Sequence, residues 1–348
     1  MLDRTKAKEN WQGKRVLVLG MARSGIAVAQ LLCRFGAVPL LNDRKTEQEL
    51  GEALAPLREL PCEWHLGEDA EALLPQCDVL LISPGVPIDS PIVLKAREMN
   101  IPVTGELEVA SQLCEGTLVA LTGTNGKTTT TYLLKEILED AGHKVGLIGT
   151  IETIIKEKKI PSSNTTPESV TVQKYLREMA DAGCDCAVME VSSQGLMLHR
   201  TAGILFELGL FTNIEPDHIG PNEHASFEEY MECKGRLFRQ CKVGIVNVDD
   251  PHWKQVLEGH TCRLETVGFS PEASLRAENV HLVNGAGYLG VAYHVSGSMD
   301  LDVEIDLPGR FSVYNSLMAI AVCRHFGVAD QDILYALKQA KVKGRIKL

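Results

Sequence analysis

Eight consecutive residues, 122–129, have the types and the order that a phosphate-binding loop requires. They are Thr-Gly-Thr-Asn-Gly-Lys-Thr-Thr, and they lie directly after the apolar run 117–121 and directly before a helical pattern. In such a loop the glycines let backbone N–H groups face phosphate oxygens, Lys127 reaches the terminal phosphates and Thr128 offers a hydroxyl to Mg²⁺. Leu121 stands where the strict GxxxxGK(S/T) pattern has glycine, and the alternative is a lysine in an ordinary strand-to-helix turn. The flanking strand and helix favour nucleotide binding, and we call residues 122–129 the P-loop.

A phosphoryl-transfer site also needs Mg²⁺ ligands that neutralise the developing charge. Two candidates follow predicted strands: Glu190 ends the apolar run 186–190, and His218 comes shortly after the strand at 207–211. In an open α/β sheet the ligand crevice lies outside the carboxyl ends of the strands, so we expect both side chains near the nucleotide. Taken singly, Glu190 could instead cap a helix and His218 could be a turn residue.

The elements that must position these residues alternate between apolar strands and helical patterns, which predicts open, doubly wound α/β sheets with parallel strands. After about residue 260, short strands with glycine-rich turns predict a small antiparallel region. The predicted strands are 15–19, 38–41, 79–82, 101–103, 117–121, 144–148, 186–190, 207–211 and 243–247. One predicted helix ends at residue 35. The other predicted helices cover 46–58, 90–99, 128–141, 168–182, 227–239, 311–326 and 330–340.

Composition restricts the class of protein. The 348 residues carry a net charge of −11, which argues against a general nucleic-acid binder because such proteins need a basic face. There is no apolar run of about 18 residues and no apolar signal-peptide core, so we expect no membrane span and a cytoplasmic location. Ten cysteines without a CxxC pair are typical of small buried residues in a reducing compartment. The length suggests two or three domains, with a boundary near 115–116.

Six motifs, in this order, resemble the Mur ligases, which are ATP-dependent amide-forming enzymes of peptidoglycan precursor synthesis. The resemblance covers essentially the whole chain and implies a Rossmann-like N-terminal domain followed by a P-loop-type central ATPase domain. The motifs are TGTNGKTT, TTPES, MEVSSQGLxxxR, FTNIEPDH, YxxxKxxLF and PGRFxxYN.

The resemblance implies an ATP and Mg²⁺ site. Lys127, Glu190, His218 and Lys234 would be the catalytic residues, and Lys234 falls where the family has a carbamylated lysine, whose anionic carbamate suits a hard cation. The Mg²⁺ ligands would be Thr128, Glu190, His218 and the carbamylated Lys234. Without the family, Lys234 would be interpreted as a solvated helix lysine. The ATP-binding residues implied are Gly123, Thr124, Asn125, Gly126, Lys127, Thr128, Thr129, Asn315 and Arg345.

The two halves of the chain resemble different members of the family. Residues 1–115 are similar to the UDP-binding domain of the UDP-N-acetylmuramoyl-L-alanine:D-glutamate ligase, and residues 116–340 to the central domain of UDP-N-acetylmuramoyl-tripeptide synthetase. Residues 341–348 would begin a linker to a missing C-terminal domain. In the first half, ordinary strand-to-helix turns remain the alternative. The residues implied to contact the UDP-N-acetylmuramoyl-peptide are Arg23, Ser24, Asp43, Arg44, Ser83, Gly85, Thr165, Thr166, Ser192, Ser193 and Arg200.

The implied reaction joins an amino acid to a UDP-N-acetylmuramoyl-peptide through an acyl phosphate. We expect addition of the third residue onto UDP-N-acetylmuramoyl-L-alanyl-D-glutamate, and the alternative is addition of D-glutamate to UDP-N-acetylmuramoyl-L-alanine. Gln194 and Gly220 depart from residues that are common in the tripeptide synthetases. Because the family binds the incoming amino acid with a C-terminal domain, we expect a monomeric fragment that binds nucleotide and has little activity alone.

Three other interpretations stay open. The turn at 20–25 and Asp43 would suit an NAD-dependent oxidoreductase, although Ala22 replaces the middle glycine of GxGxxG. A non-catalytic nucleotide-binding module that needs a partner is the second. The third is a folylpolyglutamate synthase, which shares the ATP site but fits the first half of the chain poorly.

Overall fold

The chain divides into two units, Met1–Glu115 and Gly116–Leu348. The computed structural model describes residues 9–83, 86–87, 89–105, 109, 116–217, 219–221, 223–285 and 288–339, without the side chains of Arg23 and Tyr288. None of the helices within these ranges combines the length and the apolar character that a membrane crossing requires.

The first unit is built on a parallel sheet of five strands in the order β3-β2-β1-β4-β5. The side chains on the two faces of β1 enter two different cores, because successive side chains of a strand point to opposite faces. Val16 and Val18 pack with α1, whereas Leu17 and Leu19 pack with α3. The strands are β1 (Arg15–Leu19), β2 (Val38–Asn42), β3 (Glu63–Trp64), β4 (Val79–Ile82) and β5 (Val103–Gly105). The helices are α1 (Arg23–Arg34), α2 (Glu47–Leu50) and α3 (Pro91–Glu98), with 3-10 helices at Gly51–Leu57 and Ala70–Gln76.

The second unit contains a mixed sheet of eleven strands in the order β16-β15-β14-β13-β12-β11-β6-β10-β7-β8-β9. Its centre, from β7 to β14, is parallel, whereas β8 and β9 at one edge and β15 and β16 at the other are added in antiparallel pairs. The central strands are β6 (Thr117–Thr122), β7 (Val145–Ile148), β10 (Cys186–Glu190), β11 (Phe206–Phe211), β12 (Cys241–Asn247) and β13 (Arg263–Gly268). The outer strands are β8 (Glu152–Ile155), β9 (Lys158–Pro161), β14 (Leu275–Gly285), β15 (Tyr288–Gly297) and β16 (Leu301–Ile305).

The helices of the second unit cover this sheet. Its largest core joins the sheet to α4, α9 and α10 through buried side chains such as Leu134, Leu317 and Ile333. Burial of these apolar side chains is the main stabilising term for the unit. The helices are α4 (Lys127–Asp140), α5 (Ser169–Asp181), α6 (Ser193–Met197), α7 (Phe227–Gly235), α8 (Trp253–Val256), α9 (Arg310–His325) and α10 (Asp330–Gln339), with a 3-10 helix at Arg236–Arg239.

The predicted fold class is confirmed, two local predictions are corrected, and one hairpin was not predicted. Residues 46–58 are not one helix: α2 ends at Leu50 because Gly51 adopts a φ of +53°, and a 3-10 helix containing Pro56 follows. The segment after residue 260 is not wholly antiparallel, since β13 pairs in parallel with β12. The hairpin of β8 and β9 was not predicted, and it turns at Lys156 with a φ of +52°.

The cysteines within the described ranges are free thiols, either buried or half-buried. Burial raises the pKa of the Cys241 and Cys323 thiols, which keeps them protonated and apolar in character. Cys114 lies outside the described residues.

Candidate functional site

The P-loop connects β6 to α4 in the parallel centre of the second sheet, between β10 and β11. Gly126 precedes the first residue of α4 and has a φ of +89°, a left-handed conformation that favours glycine. The first N–H groups of a helix have no partner within the helix, and they carry partial positive charge. The start of α4 therefore presents donors suited to an anion.

The loop packs closely against polar side chains from distant parts of the chain. A Cβ added at Gly126 would lie 2.6 Å from Asn315 Oδ1, and one added at Gly123 would lie 2.0 Å from Thr212 Oγ1. Asn315 is buried in α9, so this residue, which the resemblance implies binds ATP, does lie against the loop. These distances leave no room for a side chain at either glycine.

The segment after β11 holds the loop in place. The backbone N–H of Thr124 donates to Asn213 O over 2.8 Å, and the N–H of Asn125 donates to Asn213 Oδ1 over 2.8 Å. Thr212 Oγ1 in turn donates to Asn125 O over 2.7 Å. The FTNI motif is thus a structural support of the P-loop, because it fixes the backbone on both sides of Asn125.

Two lysines converge on one carbonyl oxygen of the loop. Lys127 Nζ donates to Gly123 O over 2.7 Å, and Lys234 Nζ donates to the same oxygen over 2.9 Å. Burial lowers the pKa of Lys127, and it lowers the pKa of Lys234 well below its ordinary value, with the charge of Lys127 as the next cause. Two ammonium groups held this close repel each other, so an anion would be stabilised beside them.

Lys234 is 1% exposed, contrary to its interpretation as a solvated helix lysine. It lies on α7, one helical turn after Tyr230, and its Nζ sits 4.3 Å from the centroid of the Tyr230 ring. Tyr230 Oη lies 3.1 Å from Thr124 Oγ1. Tyr230 therefore links α7 to the P-loop and covers the lysine with its aromatic face.

Glu190 ends β10 and points toward the P-loop from a fully buried position. Its Oε2 accepts hydrogen bonds from Thr128 Oγ1 over 3.1 Å and from Thr150 Oγ1 over 2.9 Å, and its Oε1 accepts from Thr150 N over 3.0 Å. A Cβ at Gly149 would lie 2.6 Å from Oε1, so that glycine makes room for the carboxylate. Glu190 does not cap a helix.

The oxygen atoms of Thr128 and Glu190 fit a magnesium ion. The Thr128 hydroxyl and the Glu190 carboxylate are hard oxygen ligands that already meet, and Mg²⁺ sites commonly combine one or two carboxylates with substrate phosphates and water. Within the described part of the chain, no group of three or more His, Cys, Asp or Glu side chains is arranged to hold a metal ion. The described residues thus supply a partial ligand set that a bound polyphosphate would complete.

Several residues of the second unit that are predicted to contact the acceptor lie beside Glu190 and Thr150. Thr165 Oγ1 lies 3.0 Å from Thr150 Oγ1, and the Arg200 guanidinium donates to Thr166 O over 3.0 Å and pairs with Glu168. Thr166 is completely buried: its hydroxyl accepts from Ser192 N over 2.9 Å and lies 3.2 Å from Glu190 O. Thr166 therefore orders the segment after β10, and its side chain does not line the cavity described next.

A cavity of about 300 Å³ extends from the P-loop at Gly123 and Lys127 to Thr165 and Arg200. It brings together the predicted residues Gly123, Lys127, Thr165, Ser192, Ser193, Arg200 and Lys234. Its other lining residues were not predicted as site residues: Thr150, Ser163, Asn164, Gln194, Glu223, His224 and Tyr230. Thr150 follows the end of β7, and the strand-end rule that identified Glu190 could have identified it as well.

The glycine turn of the first unit, residues 20–25, is held by a carboxylate. Asp43 Oδ2 accepts from Met21 N over 2.7 Å, and Asp43 Oδ1 accepts from Lys45 N over 2.9 Å. Ser83 Oγ donates to Leu19 O over 2.9 Å at the end of β1. Ser24 and Arg44 are exposed beside the turn. Asp43, Ser83 and the turn are thus brought together at the carboxyl ends of β1, β2 and β4.

Some predicted residues lie outside the described part of the chain. His218, Gly85 and Arg345 belong to this group, as does the side chain of Arg23. Their assignments remain predictions.

Comparison with known proteins identifies the family. A family model described as the Mur ligase middle domain matches residues 121–323, and one described as the Mur ligase MurD-like N-terminal domain matches residues 14–105. The chain belongs to the Mur ligase family. The resemblance noted from the motifs is thereby confirmed, and members of this family are ATP-dependent acid–amino-acid ligases that form C–N bonds.

Relatives of two kinds align with this Mur ligase. The UDP-N-acetylmuramoyl-L-alanyl-D-glutamate--2,6-diaminopimelate ligase 1 of Clostridium acetobutylicum is 40% identical over 232 residues, which are 66% of this chain and 47% of that protein. The UDP-N-acetylmuramoylalanine--D-glutamate ligase of Alkaliphilus oremlandii is 32% identical over 337 residues, which are 95% of this chain and 68% of that protein. The chain spans about half the length of relatives of the first kind.

Solved structures support the fold. A UDP-N-acetylmuramoyl-L-alanyl-D-glutamate--2,6-diaminopimelate ligase superposes with a TM-score of 0.60 at 19% identity, covering 95% of this chain and 61% of that one. MurF from Acinetobacter baumannii superposes with a TM-score of 0.54 at 21% identity, covering 80% of this chain and 59% of that one. At these identities the likeness concerns the fold alone.

Proposed function

We propose that this Mur ligase uses ATP to join an amino acid to the carboxylate of a UDP-N-acetylmuramoyl-peptide. The observation that carries the proposal is the pair of lysines on Gly123 O, with Lys127 half-buried and Lys234 buried, which shares one cavity with Thr150, Thr165 and Arg200. A nucleotide anion and a carboxylate acceptor repel each other. Cations at the junction of their two binding sites offset that repulsion.

The residues of the P-loop would bind the triphosphate. The N-terminus of α4 would bind phosphate oxygens. Lys127 would exchange its hydrogen bonds to the loop carbonyls for contacts with the terminal phosphate, and Asn315 would contact the adenine. Magnesium, when bound, would supply Lewis-acid charge between the phosphates, held by Thr128 and Glu190. We propose ATP and Mg²⁺ as cofactors on these contacts.

Lys234 would take a different role once it is carbamylated. Burial and the nearby Lys127 both disfavour its ammonium form, and a neutral amine is the form that reacts with carbon dioxide. The resulting carbamate would be an anion between Lys127 and the metal site, so it would replace repulsion by attraction. With His218 it would complete the proposed ligand set of Thr128 and Glu190.

The acceptor would lie at the Arg200 end of the cavity. Arg200 is held by Thr166 O and Glu168, so its guanidinium is preorganised for a carboxylate. The acceptor carboxylate would take the terminal phosphoryl group of ATP and become an acyl phosphate. The amine of the incoming amino acid would then attack the carbonyl, and phosphate would leave.

We propose addition of the third residue onto UDP-N-acetylmuramoyl-L-alanyl-D-glutamate. The higher identity of the 2,6-diaminopimelate ligases, 40% and 37% over 232 residues, supports this step. The MurD-like family model over residues 14–105 and the D-glutamate ligase aligned over 95% of the chain favour the alternative, addition of D-glutamate to UDP-N-acetylmuramoyl-L-alanine. In either case the UDP would bind at the turn of residues 20–25. A cytoplasmic location and a monomeric state stay predictions.

Calorimetric titration of the full chain distinguishes the two steps. We expect UDP-N-acetylmuramoyl-L-alanyl-D-glutamate to bind at least about tenfold more tightly than UDP-N-acetylmuramoyl-L-alanine, since the added carboxylate would meet Arg200. Arg200→Gln should remove the preference, and Arg177→Gln, at an exposed ion pair on α5, is the matched control. Tighter binding of the shorter nucleotide would favour the D-glutamate step. Failure to bind either one would contradict the proposal.

Single-turnover assays of the same chain test catalysis. Mg²⁺, ATP and the preferred acceptor would be mixed with D-glutamate or a diamino acid, and product would be measured by mass spectrometry. Acyl-phosphate formation without amide product would support a nucleotide- and acceptor-binding module that needs a partner.

A further inference from the structure

His224 is a buried histidine in the wall of the cavity between the P-loop and Arg200. It is 1% exposed, and its Nε2 lies 2.9 Å from the hydroxyl oxygen of Ser193, itself only 4% exposed. Both residues line the cavity. Neither hydrogen-bonding atom belongs to the P-loop, so this contact is separate from the nucleotide contacts described above.

Two neighbouring elements fix the position of the imidazole. Its ring centroid lies 5.1 Å from that of Tyr230, with the planes tilted by 48°. Gly220 N donates to His224 O over 3.2 Å, which closes the short loop before α7. On the Nδ1 side Glu229 Oε2 lies 3.8 Å away, and that carboxylate also accepts from Ala225 N over 2.6 Å. The ring therefore has a fixed orientation toward Ser193.

Ser193 starts α6, directly after the segment that carries Glu190. Ser192 caps this helix by accepting from Gly195 N over 3.0 Å, so the backbone at Ser193 is rigid. The hydroxyl hydrogen of a serine can still rotate, and a single strong partner decides where it points. If His224 Nε2–H donates to Ser193 Oγ, the serine hydrogen is left for another acceptor in the cavity.

We infer that His224 is a positioning residue that makes Ser193 a hydrogen-bond donor to an anionic oxygen of the acceptor nucleotide. This inference rests on the proposed function. The resemblance already implies that Ser193 contacts the acceptor, and the inference adds the group that orients its hydroxyl. Ser193 is the group that touches the acceptor, and His224 acts through it.

Two amide substitutions separate this role from a general structural one. The amide group of glutamine reaches the place of Nε2, whereas that of asparagine reaches only the place of Nδ1. His224→Gln should therefore keep the donor to Ser193, and His224→Asn should lose it. Ser193→Ala removes the group on which His224 is inferred to act.

The experiment is calorimetric titration of the full chain with UDP-N-acetylmuramoyl-L-alanyl-D-glutamate, and separately with ATP and Mg²⁺. We expect H224N and S193A each to weaken acceptor binding about 5- to 10-fold, H224Q to stay within about twofold of the parent, and the double variant H224N/S193A to bind no more weakly than either single one. ATP affinity should stay within about twofold throughout.

Several outcomes would overturn the inference. Additive losses in the double variant, equal losses in H224Q and H224N, or unchanged acceptor binding in S193A would each do so. If H224N fails to fold, S193A and H224Q decide alone, by the same criteria. If the parent chain binds neither acceptor nucleotide, the proposed function fails and this inference with it, whereas a parent that binds and an S193A that binds equally well overturn only the inference.

Discussion

The P-loop and the turn of residues 20–25 are similar in backbone and opposite in charge. Each follows a central parallel strand, precedes a helix and contains a glycine with a left-handed φ, +89° at Gly126 and +93° at Gly20. In the first unit the Asp43 carboxylate accepts from the turn at Met21 N. In the second, Lys127 and Lys234 both donate to the loop at Gly123 O.

This difference shows that glycines alone do not define a phosphate site. They allow a ligand to approach the backbone, and side chains from other strands and helices determine which ligand charge is stabilised. The turn with Asp43 favours ligand groups that donate hydrogen bonds, such as ribose hydroxyls or the uracil N–H. The P-loop with its lysines favours a polyphosphate.

The largest expected effect is on the charge of the P-loop. Lys127→Ala should weaken binding of ATP and Mg²⁺ about 100-fold, because a desolvated charge partner of the phosphates is lost. Calorimetric titration measures this change. Lys144→Ala, at an exposed position shortly after α4, is the control and should leave the affinity unchanged. If UDP binding fell as steeply as ATP binding in Lys127→Ala, the contrast between the two turns would be wrong.

Glycine substitutions sharpen the comparison of the two backbones. Gly126→Ala should lower the free energy of unfolding by about 1–3 kcal/mol and weaken ATP binding roughly tenfold, since the Cβ would lie 2.6 Å from Asn315 Oδ1 at a positive φ. Gly20→Ala should cost about 1–2 kcal/mol, because its Cβ would meet only the Ser83 side chain, with Oγ at 3.3 Å, and the left-handed φ is the main penalty.

Urea unfolding of both variants measures these costs. Gly105→Ala is the control, because no atom lies within 4 Å of its Cβ position and its φ is not left-handed. A larger cost at Gly20 than at Gly126 would contradict the assigned packing.

The smallest expected effect is the change in UDP affinity when the Asp43 carboxylate beside the turn of residues 20–25 is removed. Asp43→Ala should weaken UDP binding about fivefold, because Met21 N loses its acceptor and the turn loses its preference for ligand donors. ATP binding should not change. The measurement is titration with UDP and with ATP, and Asp69→Ala, at the cap of the 3-10 helix Ala70–Gln76, is the matched control. A gain in UDP affinity would mean that Asp43 opposes the ligand.

Most of the fold could be predicted because its signals are local. The alternation of apolar runs with amphipathic helical patterns in the sequence predicted most strands to within two residues, including β1, β4 and β10. Errors arose where a single residue decides the backbone: Gly51 ended a predicted helix, and Lys156 made an unpredicted hairpin. The parallel pairing of β13 depends on a long-range partner, which periodicity does not report.

The site was predictable where a motif combines sequence-adjacent residues. The P-loop and the strand-end position of Glu190 belong to this kind. Thr166 was predicted from a motif but faces Ser192 N and Glu190 O, because a motif gives residue type without direction. His224 and Tyr230 were missed, since their contacts with Ser193 and Thr124 join residues far apart in the chain.

The sequence by itself determined the α/β class, the family and the loop that would receive phosphate, because each depends on residue order over short stretches. Only the tertiary structure decided the electrostatic character of the site. Residues 123 and 234 are 111 positions apart, and their contact places the buried amino group of Lys234 on the same carbonyl oxygen as Lys127. Burial and proximity set the strength of charge interactions, and both exist only after the chain has folded.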